Sequence, residues 1–154
     1  RAAATRAVAI AKNRGWSDNR AGLSYFLLGR LQQGQNTEAA RANLEQARRL
    51  FTGSSLTEIA AAHATLHLAA IDLVRGDYPS ALADLDPAIA TATRAQNAAL
   101  LSSLMLTKAE ALLRMGRAGE AQAVRLDSLG WARYGFGSDR DVYAHIADIQ
   151  ALAR

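Results

Sequence analysis

The sequence predicts an all-α protein assembled as an array of antiparallel helix pairs, and three observations carry that reading. A Gly-to-Ala interval recurs three times: Gly34 to Ala39, Gly76 to Ala81 and Gly116 to Ala121. The glycines stand 42 and 40 residues apart, and a period in this range marks helical arrays in which each unit buries its face against its neighbours. Good helix formers (Ala, Leu, Arg, Gln) dominate, Val and Ile are sparse, and there are only two prolines. Finally, 154 residues that are 50% hydrophobic suffice for a core and exclude a disordered tail.

Each element follows from local signals. Residues 3–14 are Ala-rich and helical, ending at Gly15. Ser17 or Asp18 can cap a helix over about 18–33, with Leu23, Phe26, Leu27 and Leu31 as its apolar set. After Gly34, a helix over about 36–51 turns Ala39, Ala40, Leu44, Ala47 and Leu50 inward. Thr52-Gly53-Ser54 stops it; Ser54 or Ser55 caps the next helix, with Glu58 available for a capping box. That helix, about 55–75, carries Ile59, Ala62, Leu66, Leu68, Ala69, Ile71 and Leu73. Gly76-Asp77 ends it and caps its successor, whose Pro79 lies in the first turn, where a missing N–H costs nothing. The successor runs to about 94 with Ala81, Leu82, Leu85, Ala88 and Ile89, and Pro87 should kink or interrupt it. Helices at about 96–115 and 118–133 follow, and Tyr134-Gly135-Phe136-Gly137 reads as a loop. Ser138 with Asp141 forms a capping box for a last helix, about 139–153, whose stripe is Val142, Ile146, Ile149 and Leu152. The chain is thus expected to be one domain, 1–154, with hairpins at 18–52, 54–94 and 96–133 and flanking helices at 3–14 and 139–153.

The net charge is +4 and the sequence pI about 10.0. Acidic residues are interleaved with the arginines throughout, which argues against a nucleic-acid partner. The most basic stretch, Arg1, Arg6, Lys12, Arg14 and Arg20, reads as a solvated face. No apolar run approaches the roughly 20 residues that span a bilayer, so a soluble chain is expected. The absence of cysteine removes disulfides and thiolate chemistry and leaves the compartment open.

The three hairpins resemble the tetratricopeptide repeat. In the middle unit Tyr78, Ala81, Leu85 and Ala88 fall where that motif places its aromatic, small, large and small packing residues, and Leu68-Ala69 falls on its Leu-Gly pair. The third unit keeps Ala109, Gly116 and Ala121 but has Arg125 and Ser128 at the packing pair. The first keeps Gly34 and Ala39, with Leu28-Gly29 slightly out of register. The period is about 40 rather than roughly 34 residues, and the motif's Trp and terminal Pro are missing, as in longer-helix variants of sensor and scaffold proteins. The resemblance implies a right-handed superhelix closed by a C-terminal capping helix, with a concave groove lined by the first helix of each unit. Its lining would include Ser24, Tyr25 and Leu28; His63, Leu66, His67 and Ala70; and Ser103, Thr107, Glu110 and Arg114. Chaperone-binding members of the family clamp a carboxylate with Lys, Asn and Arg; Ser24, Leu28, His67, Ser103 and Thr107 stand at those places here, so that clamp is absent.

Catalytic constellations are not legible. His63 and His67 share a helix face, but a metal site needs a third ligand and no carboxylate lies beside them; they read as groove-lining residues. Asp84 and Asp86 diverge on their helix. Trp131, Tyr134 and Phe136 read as a core plug joining the last hairpin to the final helix, the alternative being an anchor for a partner. The expectation is a non-enzymatic scaffold or adaptor that binds a protein or peptide, without cofactor or metal. The alternative is a sensor or regulatory arm that takes a small ligand or signal peptide in its groove.

Overall fold

The structure is a computed structural model that describes residues 1–152. Among these residues there are eight helices and no strand: α1 (Ala2–Asn13), α2 (Asn19–Gln32), α3 (Thr37–Leu50), α4 (Ser55–Arg75), α5 (Tyr78–Arg94), α6 (Ala98–Arg114), α7 (Ala118–Phe136) and α8 (Asp139–Leu152). Residue 153, the expected end of the last helix, lies outside the described residues. No helix described is long and apolar enough to cross a membrane.

Local chemistry sets the boundaries. Gly34, Gly76 and Gly116, the glycines of the recurring interval, all have positive φ (85°, 78° and 77°), the region closed to most side chains by Cβ. The first two reversals are followed by a side-chain cap, Asn36 accepting from the Ala39 N–H at 3.0 Å and Asp77 from the Ser80 N–H at 3.3 Å, whereas Arg117 after Gly116 starts α7 with no side-chain cap bond. Asp18, rather than Ser17, caps α2. At α4 Ser54 and Thr57 close a capping box. The Thr57 N–H donates to Ser54 Oγ (3.3 Å) and the Ser54 N–H donates to Thr57 Oγ1 (3.0 Å), since Thr57 is the residue three positions on. At α8 Ser138 caps as expected, its Oγ accepting from the Asp141 N–H at 3.2 Å, while Asp141 Oδ2 accepts from the Ser138 hydroxyl at 2.6 Å.

Helix continuity differs from expectation at two places. α5 is not interrupted at Pro87. The carbonyl that loses its partner belongs to Ala83, and both residues are exposed, so water can satisfy it. Residues 134–136 are not a loop but the last turn of α7, and Gly137, at φ 72°, ends the helix instead. Gly135 serves close approach: a Cβ there would lie 2.7 Å from the Ala99 backbone nitrogen.

The chain divides into two compact units, Arg1–Leu68 and from Ala69 onward, with the boundary inside α4. In the first, α1 packs on α2 and α2 on α3, around Val8, Ala11, Ala21, Tyr25, Leu28, Ala47 and Phe51. The inward face of α2 differs from the expected one. Leu23, Leu27 and Leu31 are exposed and Phe26 is half-buried, while Ala21, Gly22, Tyr25, Leu28 and Gly29 are buried. The reason is close packing: a Cβ on Gly29 would sit 2.7 Å from Leu44 Cγ, so α3 approaches along the glycine face.

In the second unit α5 packs on α6, α6 on α7, and α8 on both α6 and α7. α6 is the central element, buried at Leu100, Leu101, Leu104, Leu106 and Leu112 among others. Ala81, Leu85 and Ala88 of α5 and Ala121 of α7 are buried as expected, and α8 buries Val142 and Ile149. At the place of the motif's second small residue, Ser128 is fully buried. Its hydroxyl donates to the Arg125 carbonyl at 2.7 Å, and its own carbonyl accepts from Ser102 Oγ at 3.0 Å. The expected aromatic plug is only partly realised: Phe136 stacks on His145 at 4.4 Å, but Trp131 and Tyr134 are exposed, because α7 stays helical and carries them away from the core.

Candidate functional site

The proposed lining residues fall into two local environments. In the first unit Tyr25 and Leu28 belong to the core, and Leu66 is buried. His67 is buried too. Its Nδ1 lies 2.8 Å from Gln33 Oε1; a carbonyl oxygen only accepts, so Nδ1 carries the proton and Nε2 the lone pair. The ring meets Phe26 edge-on at 5.8 Å, and the Arg30 guanidinium lies over that same Phe26 ring at 5.6 Å. Burial, then the charges of Arg30 and His63, push the His67 pKa down to about 4. His63 is half-buried and shifted the same way, by burial and then Arg30. Both imidazoles are therefore neutral at pH 7. The Gln33 amide nitrogen is buried without a hydrogen-bond partner among the described residues. Among the described residues no group of three His, Cys, Asp or Glu converges as a metal ion would need.

In the second unit Thr107 is fully buried and spends its hydroxyl on the Ser103 carbonyl at 2.9 Å. Ser103 Oγ lies 3.1 Å from His145 Nε2 and donates to the Ala99 carbonyl at 2.8 Å. Burial lowers the His145 pKa, and Asp148 opposes the shift. Glu110 and Arg114 form an ion pair at 2.8 Å, and Arg114 also donates to the Leu73 carbonyl at 3.2 Å.

Glu110 marks a cleft of about 180 Å³ between α6, α7 and α8. Leu106, Ala109 and Leu113 of α6, Ala118 and Ala121 of α7, and Ile146 and Ile149 of α8 supply apolar walls. Glu110, Gln122, Arg125 and Gln150 add polar groups. An apolar recess with a few convergent polar groups is the usual form of a binding site. Of the proposed lining residues, only Glu110 enters it. Reasoning from first helices alone overlooked Gln122, Arg125 and the α8 residues. Their signal was present: Arg125 stands where a packing residue was due, and a cation there leaves the space beside it unfilled.

Comparison with protein-family models finds none that matches the chain, and comparison with curated proteins finds no match.

Proposed function

We propose that this protein is a non-enzymatic binding module, a tetratricopeptide-like array of helix pairs whose α6–α7–α8 cleft takes a side chain of a protein or peptide partner. The observation that carries the reading is the cleft's make-up: aliphatic walls and a mixed rim of Glu110, Gln122, Arg125 and Gln150. A recess of about 180 Å³ suits one branched or aromatic side chain rather than a cofactor. Arg125 is exposed and favours a carboxylate next to that anchor.

Selection from a random peptide library on the immobilised protein tests this. The expected consensus is one large apolar residue with an acidic neighbour. Leu113→Arg, which places a charge in the half-exposed wall, should abolish binding, and Arg125→Glu should weaken it about tenfold or more. Peptides that bind both variants as tightly as the parent would sink the proposal.

A further inference from the structure

α7 has a second face, directed away from the core and distinct from the cleft. Its buried residues are Ala121, Ser128 and Ala132; at 3.6 residues per turn Gly130 points the opposite way. Around Gly130 lie Leu126, 60% exposed, Trp131, 41%, and Tyr134, 81%. Trp131 and Tyr134 meet edge-on at 6.4 Å. Leu126, Asp127, Gly130, Trp131 and Tyr134 line one open depression. Nothing lies within 4 Å of the position a Cβ on Gly130 would take, so this glycine does not serve packing inside its own chain. Large aromatics left in water around a notch mark an interaction surface.

The charges on this face are arranged symmetrically about the notch. Asp127 lies three residues before Gly130 and Arg133 three residues after it; Leu126 lies four before and Tyr134 four after. A two-fold axis through Gly130 that runs a second helix antiparallel brings residues equally distant from it to the same height. Asp127 then meets Arg133 of the other copy, Leu126 meets Tyr134, and each contact occurs twice, as an isologous interface requires. The absent side chains of the two glycines let the helix axes come close. Arg133 is available for exchange, since its contact with Asp139 is long (3.8 Å) and both side chains are exposed.

We propose that this face is a self-association surface, on which two copies of the chain pair α7 with α7, antiparallel about Gly130. The occupant is a second copy because the pattern complements itself: opposite charges at equal distances on either side of the centre, and an aliphatic facing an aromatic. A parallel pairing would set Asp127 against Asp127.

Sedimentation velocity over a wide concentration range tests the proposal. The parent chain is expected to pass from monomer to dimer as concentration rises. Gly130→Arg puts a long cation at the centre of the face, and its Cβ has no atom of its own chain within 4 Å. It should remain monomeric with an unchanged circular dichroism spectrum. Asp127→Arg or Arg133→Asp alone should weaken dimerisation about tenfold or more, and the double reversal Asp127→Arg/Arg133→Asp should restore it. A parent chain that is monomeric at every concentration overturns the proposal and leaves the face to a different partner. A dimer that survives Gly130→Arg, or that the double reversal does not restore, overturns it as well.

Discussion

His67 couples a single side chain to the stability of the first unit. Its pKa of about 4 lies below the ordinary 6.5, so between those values the unfolded chain binds a proton that the native state refuses. Stability is complete above about pH 6.5 and falls as the pH drops toward 4, by on the order of 3 kcal/mol in all. His63 shifts in the same direction and adds to the slope. Urea midpoints between pH 6.5 and 5 should therefore decline, and His67→Gln should flatten the decline. An identical slope in the variant would show that the imidazole titrates normally. Gln96, between α5 and α6, is a second residue with a local cost: it is the only non-glycine at positive φ (52°) among the described residues. Gln96→Gly should raise stability by about 0.5–1 kcal/mol once the added freedom of the unfolded chain is counted. A lowered melting temperature would mean that the side chain contributes more than its backbone conformation costs.

At the scale of the element, α7 uses its glycines in opposite ways. Gly135 is pressed against the Ala98–Ala99 backbone, whereas Gly130 faces open space. Alanine favours a helix interior by about 1 kcal/mol over glycine, yet Gly135→Ala should destabilise by about 1–3 kcal/mol, because backbone atoms cannot move aside as a side chain can. Thermal melts of the variant check the sign. α8 closes the second unit, covering the α6–α7 hairpin with Val142 and Ile149 while Asp139, Arg140, Asp148 and Gln150 face water. Truncation after Gly137 should lower solubility and melting temperature together, since Phe136 loses His145 and two cleft walls are removed. An unchanged melting temperature would mean that α8 contributes nothing to this core.

Across the molecule, burial is distributed unevenly. α6 and residues 64–73 of α4 are buried on nearly every side, whereas α1 buries only Val8 and Ala11. Local opening follows the number of apolar contacts that must be broken. Native-state hydrogen exchange should therefore be slowest in α6 and at 64–73 and fastest in α1. Equal protection in α1 and α6 would contradict this order.

Helix number, turns and caps could be read from the chain because they depend on residues close in sequence. Gly34, Gly76 and Gly116 have the backbone that only glycine adopts freely, and Asn36, Asp77 and Ser138 cap within three residues. Ala81 and Ala88, small residues on either side of the large Leu85, likewise reported the closely packed face of α5. What local pattern could not decide was which side of a helix meets another. α2 has two apolar faces, and the one carrying Gly22 and Gly29 is buried because α3 can approach nearest there. Gly135 has the same turn-like neighbours as a loop glycine, and only the backbone of α6 beside it shows that it is a contact glycine. The cleft was hidden for the same reason. Leu113, Arg125 and Ile149 come from three helices, and their convergence is set by long-range packing, which no spacing along the chain records.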